Sequence, residues 1–373
     1  MKFIADKTVP YLKGILDSVA DITYLSSEEF TPEHVRDADA LIVRSIDKCT
    51  RELLQGSRVK LITSATIGFD HIDTHYCEQA GIVWRNAPGC NARSVAQYVL
   101  AGLVARSLRL GDSLQGKTMG IVGVGHVGKE LEIVCRAYGM RVLRNDPPRA
   151  EIEGADGFVS LETLAEEADI ISFHTPLTRE GRYPTFHLAD DAFFNRLQKK
   201  PCIINAARGA IIDTSALLKA SQSGRVGDLI IDCWEGEPHI NRLLLQQAYI
   251  ATPHIAGFSA DGKANGTRTC LEQIASFFQL DIPKLSDVQP PLPEQPLIDL
   301  NRFSGQRVEQ AILSCFNPLD VDRRLRETPE RFEWFRANYH YPREFQAYTI
   351  ANATPQEADL LKQLGFQIQN KQQ

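Results

Sequence analysis

Gly123-Val124-Gly125-His126-Val127-Gly128 stands directly behind the apolar run 118–122 and opens a predicted helix over 127–138 that Gly139 stops. A G-x-G-x-x-G between strand and helix predicts a dinucleotide site. The first glycine permits the tight turn, the second lets backbone approach a pyrophosphate, and the third packs helix on strand, while N–H groups and the helix dipole face the anion. The next predicted strand closes on Asn145-Asp146, with Asp146 eighteen positions beyond Gly128. An acid there can accept from both ribose hydroxyls and repels a 2′-phosphate, so NAD is expected over NADP. Arg144 and Arg149 stand close enough in sequence to soften that preference.

Outward from this turn, the runs 118–122, 141–143, 170–173, 202–205, 229–232 and 249–252 read as buried parallel strands of an α/β doubly wound sheet. Upstream, 2–5, 40–43, 60–63 and 82–84 alternate with helical stretches in a separate βαβ series. Pro88-Gly89 breaks the chain, and Asn91 is placed to cap a long helix on which Val95, Tyr98, Val99, Leu103 and Val104 repeat at helical spacing, expected to cross between domains. Downstream, Pro290, Pro291, Pro293 and Pro296 favour an extended linker over 286–296. A small α/β module follows, with a strand at 346–350, a capping box at Thr354-Pro355-Gln356-Glu357, a stop at Gly365 and a strand at 366–368. No internal repeat of fixed period is found.

At 373 residues the chain predicts about two or three domains. Apolar residues make up 43% and charged residues 24%, an ordinary globular composition with enough apolar material for a large core. Forty-one Lys and Arg against 47 Asp and Glu give −6, so no whole-protein basic field exists to hold nucleic acid or anionic lipid. No apolar run of about 18 residues would span a bilayer. Asp6 also interrupts the opening before a signal-peptide apolar stretch forms, and a cytoplasmic protein is expected. The eight cysteines contain no C-x-x-C pair and read as reduced, mostly buried thiols. His71 and His75 have a spacing that can bind zinc, but the Glu of H-E-x-x-H is absent and no metal is expected. Arg323-Arg324-Leu325-Arg326 reads as a solvated helix face.

Ligands of open α/β sheets collect outside the carboxyl ends of strands. Just past three predicted strands lie Arg208 in Asn205-Ala206-Ala207-Arg208-Gly209, Glu237 in Asp232-Cys233-Trp234-Glu235-Gly236-Glu237-Pro238, and His254 in Thr252-Pro253-His254-Ile255-Ala256-Gly257. With these three residues, Asn86-Ala87-Pro88-Gly89-Cys90-Asn91-Ala92, the loop from Ser64 to Asp73 and Phe173-His174-Thr175-Pro176-Leu177, the chain resembles the D-isomer-specific 2-hydroxyacid dehydrogenases over essentially its whole length. Chemistry gives each residue a task. Hydride leaves C2 as the hydroxyl proton departs, and imidazole, His254, is the natural base near neutrality. A carboxylate beside it, Glu237, favours imidazolium. The guanidinium of Arg208 can hold a carboxylate bidentately or polarise the C2 oxygen.

The resemblance implies further assignments. Thr175, Ala206, Ala207, Arg208, Asp232 and Gly257 would line the cofactor together with Gly123, Gly125, Gly128 and Asp146, with His126 and Val127 offering backbone to the pyrophosphate. Asp232 would accept from the nicotinamide amide, and Thr175 would hydrogen-bond ribose or amide. Substrate would meet Ser45, Thr66 and Phe258, the last standing where the nearest branch of the family typically has Tyr; Arg44 and Arg93 are possible helpers. Gln97 occupies a helix position often held by Glu. The implied architecture is a flavodoxin-like substrate-binding domain, 1–93 with 256–285, an inserted NAD-binding Rossmann domain, 94–255, and a small C-terminal α/β dimerisation domain, 286–373. That extra module and the overall match imply oxidation of 4-phospho-D-erythronate to 2-oxo-3-hydroxy-4-phosphobutanoate in pyridoxine synthesis by a homodimer. The other readings are a dehydrogenase of glycerate, 3-phosphoglycerate or another D-2-hydroxy acid, and a non-catalytic dinucleotide-sensing scaffold.

Overall fold

A computed structural model describes residues 1–369; the last four positions of the expected C-terminal domain lie outside the described residues. The chain divides into two compact units, Met1–Asn91 with Ser259–Pro291, and Ala92–Phe258 with Leu292–Gln373. In the first unit β1 (Lys2–Asp6), β2 (Asp21–Leu25), β3 (Ala40–Val43), β4 (Leu61–Ser64) and β5 (Val83–Arg85) form a parallel sheet in the order β2-β1-β3-β4-β5. β3 and β4 are buried throughout, as strands covered on both faces must be. Phe3, Ala5 and Ile42 pack with Leu271 and Ile274 of the helix Ala260–Phe278, while Ile4, Leu41 and Val43 face a second cluster around Leu53, Leu54 and Ile62. β2, absent from the sequence reading, is an edge strand whose Ile22, Thr23 and Tyr24 are only half-buried, so no continuous apolar run marks it.

In the second unit β6 (Thr118–Val122), β7 (Arg141–Asn145), β8 (Ile170–Phe173), β9 (Cys202–Asn205), β10 (Leu229–Ile231) and β11 (Ile250–Ala251) are parallel, in the order β7-β6-β8-β9-β10-β11. The order reverses between β6 and β8, and that switch point sets the crevice at their carboxyl ends. The long helix Ala92–Leu110 lies wholly in this unit, where Val95, Val99 and Leu103 share a core with Leu131 and Val134 of the helix His126–Ala137.

The C-terminal stretch builds its own parallel sheet from β12 (Leu297–Asp299), β13 (Thr349–Ala351) and β14 (Gln367–Ile368). Its capping box at Thr354 and Glu357 is formed, while residues 345–347 make a 3-10 turn instead of the expected start of a strand. Ile298, Ile312, Phe345, Ile350 and Phe366 belong to the same apolar cluster as Val95 and Leu131, so the module is continuous with the Rossmann core. Its helix Pro318–Glu327 closes the short edge strand β11, where Asp322 Oδ1 accepts from Ala251 N at 2.7 Å. Arg326 was expected on a solvated face. Instead it donates to Asp322 at 2.8 Å, one turn back on its own helix, and to the carbonyls of Leu245 and Ala248, both at 2.6 Å, because the end of the helix Arg242–Gln247 supplies acceptors invisible in the local sequence. All eight cysteines are free and all but Cys90 are buried. Among the described residues no helix is long and apolar enough to cross a membrane.

Candidate active site

The glycine turn behind β6 is shaped by close approach. Gly123 has φ 89°, and a Cβ there would lie 2.7 Å from Thr175 N, which follows β8. A Cβ on Gly128 would stand 2.3 Å from the Gly123 oxygen, whereas one on Gly125 would meet nothing within 4 Å. The turn is therefore tight on its protein side and open where an anion would approach the start of the helix His126–Ala137. Asp146 lies over it: Oδ2 accepts from Val124 N at 2.8 Å and Oδ1 from Arg149 N at 3.1 Å. Arg149 donates to the Val124 carbonyl and pairs with Glu153 at 2.6 Å, while Arg144 donates to the Gly157 carbonyl at 2.9 Å and lies over the Phe158 ring. Both arginines are thus engaged. Across the switch point, Thr175 Oγ1 and His174 Nδ1 are buried side-chain atoms without a hydrogen-bond partner. Burial holds His174 neutral, down to about 3, with Ser172 Oγ 2.8 Å from its Nε2. Open backbone at Gly125, a carboxylate over the turn and unsatisfied polar atoms opposite suit a dinucleotide.

Past β9, the buried Asn205 folds the next loop around itself. Its Nδ2 donates to the carbonyls of Arg208 at 3.0 Å and Gly209 at 3.4 Å, and its Oδ1 accepts from Ala207 N at 3.3 Å. This leaves Ala206 half-buried, Ala207 buried and Arg208 exposed, with its Nη1 on the Ala207 carbonyl at 2.7 Å. No carboxylate lies within ion-pair distance of Arg208 among the described residues, so its fork is available to an anion. A Cβ on Gly209 would fall 1.9 Å from Trp234 C, and only glycine lets this loop press against the one after β10.

In that second loop Glu237 Oε1 accepts from Trp234 N at 2.7 Å, and Oε2 sits 2.8 Å from His254 Nδ1. The two side chains are 21% and 23% exposed, shielded yet reachable. Burial alone would raise the Glu237 pKa; the hydrogen bond and charge of His254, the Trp234 N–H and the charge of Arg336 outweigh it and hold the carboxyl below its ordinary range. With Nδ1 turned to Glu237, Nε2 is the ring nitrogen left for a substrate proton. His254 itself has φ 56°, a left-handed conformation uncommon for a non-glycine residue, and its N–H is fixed on the Asp232 carbonyl at 2.9 Å.

Asp232 holds this loop. Buried, it accepts from Thr252 Oγ1 at 2.6 Å, Ile255 N at 2.8 Å and Ala256 N at 3.0 Å, and burial pushes its pKa up against the lowering influence of His254 and these donors. Thr252 Oγ1 is also 2.6 Å from the Tyr98 hydroxyl, and Trp234 Nε1 donates to the Thr252 carbonyl at 2.9 Å. Sequence reasoning missed Asn205, Tyr98, Thr252 and Trp234 as supports; a polar residue closing an otherwise apolar strand, as Asn205 does, was the available signal. The ligand atoms of Cys233, Glu237 and His254 lie within 4.8 Å of one another. Burial, with Asp232 and Glu237 nearby, keeps Cys233 a thiol, a poor metal ligand.

In the first unit Ser45 follows β3 and is exposed; Thr66 follows β4, with its Oγ1 2.7 Å from Ser64 Oγ and donating to the Gly68 carbonyl at 3.0 Å. Arg44 Nη1 donates to Thr8 Oγ1 at 2.8 Å. His71 Nε2 turns to Ser64 Oγ at 3.1 Å and His75 Nε2 to Gln79 at 2.9 Å. In the second unit Arg93 is occupied by Gln346 Oε1 at 2.9 Å and Glu130 at 3.6 Å. Gln97 Oε1 accepts from Phe345 N at 3.2 Å, which gives the unexplained polar helix position a structural task. Gly257 and Phe258 close the loop after His254, with Phe258 N on the Ile255 carbonyl at 2.8 Å.

Residues 86–256 match the family described as D-isomer specific 2-hydroxyacid dehydrogenase, NAD binding domain, and 291–365 match a domain of unknown function, DUF3410. A Porphyromonas gingivalis protein named erythronate-4-phosphate dehydrogenase is 55% identical, covering 98% of this chain and 100% of its own. A protein of the same name from Bacteroides thetaiotaomicron is 51% identical over 94% of this chain and 99% of its own. Among solved structures, NAD+-bound 3-phosphoglycerate dehydrogenase of Entamoeba histolytica superposes with a TM-score of 0.59 at 28% identity, over 75% of this chain and 95% of its own. The glycine turn, the acid over it and the loops behind β9 to β11 are thus parts of an NAD-dependent oxidoreductase, and the chain belongs to the D-isomer specific 2-hydroxyacid dehydrogenase family.

Proposed function

We propose that the chain oxidises 4-phospho-D-erythronate to 2-oxo-3-hydroxy-4-phosphobutanoate with NAD, in pyridoxine biosynthesis. The observation that carries this reading is the near-full-length likeness, 55% identity, to a relative named for that substrate. His254 Nε2 takes the C2 hydroxyl proton, and Glu237, 2.8 Å from Nδ1, fixes the ring and stabilises the imidazolium that forms. Arg208 holds the substrate carboxylate and steadies charge growing on the C2 oxygen. The nicotinamide, when bound, supplies the acceptor for the C2 hydride. Gly123, Gly125, His126, Val127 and Gly128 cradle its pyrophosphate, Asp146 takes the adenosine ribose, and Thr175, Ala206, Ala207, Arg208, Asp232 and Gly257 line the rest. Asp232 does so while also holding the loop of Ile255 and Ala256. Ser45, Thr66 and Phe258 complete the substrate contacts, and Phe258 contributes packing only.

The three-part division at 1–93 with 256–285, 94–255 and 286–373, a homodimer joined through the C-terminal module, and a cytoplasmic location belong to the same proposal. Nicotinamide absorbance followed in both directions, with 4-phosphoerythronate beside D-glycerate and 3-phosphoglycerate, tests it. Turnover selective for 4-phosphoerythronate and lost in Arg208→Ala is expected; turnover of another acid would overturn the substrate, and silence in both directions would overturn the enzymatic reading. Sedimentation at micromolar concentration checks the dimer, which a monomeric full-length protein would refute.

A further inference from the structure

The stretch after the helix Pro318–Glu327 runs back to the loop of His254. Its helix Phe332–Ala337 carries Arg336, whose Cζ lies 5.8 Å from the centroid of the Phe258 ring. Tyr339 and Tyr341 flank the same ring at 6.4 and 5.9 Å and each other at 6.2 Å. Phe258 stands four residues beyond His254, so aromatic side chains of the C-terminal module pack on the loop that follows the Glu237–His254 pair. Burial and the charge of Asp232 keep the Tyr339 phenol protonated, hence a donor.

Three arginines of this module have acid partners, Arg323 with Asp320 at 2.7 Å, Arg326 with Asp322 at 2.8 Å, and Arg307 with Glu357, while Arg302, Arg324 and Arg331 are exposed to solvent. Arg336, half-buried, has no acid within ion-pair distance among the described residues. Its charge falls instead on Glu237 and Cys233. A cation there is unhelpful to the acid–base pair alone, since it disfavours the imidazolium that Glu237 supports. An anion seated on it removes that penalty. The substrate under the reading above has two anionic ends, the carboxylate beside the reacting carbon and a phosphate two carbons further along. Arg208 suits the first. A guanidinium is a strong partner for the second, because its fork donates two parallel hydrogen bonds to phosphate oxygens.

We propose that Arg336, set against Phe258 and backed by Tyr339 and Tyr341, is a specificity-determining residue that binds the terminal phosphate of the substrate. The inference rests on the phosphorylated-substrate reading and deepens it: the domain of unknown function contributes directly to substrate choice.

The test compares full-length wild type, Arg336→Ala and Arg336→Lys on 4-phosphoerythronate and on D-erythronate, the same acid without phosphate. It is paired with calorimetric titration of inorganic phosphate into the NAD-loaded proteins. Arg336→Ala should raise KM for 4-phosphoerythronate about ten- to a hundredfold, the worth of a hydrogen bond to a charged group. Its kcat/KM for D-erythronate should not fall, its KM for NAD should stay at the wild-type value, and its phosphate affinity should fall. Arg336→Lys, which keeps the charge and loses the fork, should lie between and answers the question if the alanine variant does not fold. Equal losses on both substrates, or none on either, would overturn the inference while leaving the substrate reading intact. Wild type inactive on 4-phosphoerythronate would overturn the substrate reading; the phosphate titration then decides Arg336 alone, unchanged affinity in the variants refuting it.

Discussion

The two large sheets share a strand order through five strands, β2-β1-β3-β4-β5 in one unit and β7-β6-β8-β9-β10 in the other, each reversing direction after its first strand. Their switch points carry opposite chemistry. Behind β6 stand Gly123, an open helix start and Asp146 at the rim. β1 ends in Asp6, buried beside Asp47, whose carboxyl is raised to about 6 by burial first, the hydrogen bond and charge of Asp6 adding to it. One crevice is built to receive an anion, and the other sets two buried acids side by side. Topology makes the crevice, and the residues of the turn decide what enters it.

The largest effect that would break this contrast concerns the acid–base pair. His254→Gln should lower kcat by about 10² to 10⁴-fold with NAD affinity unchanged; near wild-type kcat would remove the imidazole from the chemistry. Next comes the glycine turn. Gly125→Ala meets no protein atom within 4 Å, so thermal stability should hold while NAD affinity falls, about tenfold or more, an equivalent of some 1.4 kcal/mol. Gly68→Ala, in the loop after β4, meets only Asp70 Oδ2 at 3.5 Å and should leave both unchanged; equal behaviour of the two variants in calorimetry would erase the distinction between the sheets. Asp146→Ala should lower the NAD-to-NADP ratio of kcat/KM, by less than full reversal because Arg149 stays tied to Glu153.

The smallest effect belongs to the acid pair of the first sheet. Asp47 has a folded-state pKa of about 6, above the unfolded value of about 3.9. The folded state therefore holds the proton more tightly. The stabilisation is complete below about pH 4 and is lost as pH rises through 6. Asp47→Asn should flatten that part of the Tm profile, a shift of about a few degrees. A wild-type slope persisting in the variant would place the titration elsewhere.

Legibility followed burial. β3, β6, β8 and β9 run as predicted because strands covered on both faces are written as unbroken apolar stretches. β12 was missed, a three-residue strand behind a proline-rich linker that leaves too little pattern. Arg208, Glu237 and His254 were readable because each follows a recognisable strand. Asp146 had its fixed distance from the turn. Arg326 and Arg336 were not readable: their surroundings come from elements distant in sequence, and a local run of basic residues looks the same whether it faces water, a sheet edge or a loop.

The bond from Ala251 to Asp322 joins residues 71 positions apart. The strand that delivers His254 therefore leaves the ribosome well before the helix that covers its edge. In that interval β11 presents an open rim to any neighbouring chain, the exposure from which intermolecular strand pairing starts. A nascent chain interrupted after the Rossmann segment would carry every residue of the acid–base pair and an unsealed sheet, and its fate would be set by association with its own kind before any substrate arrived.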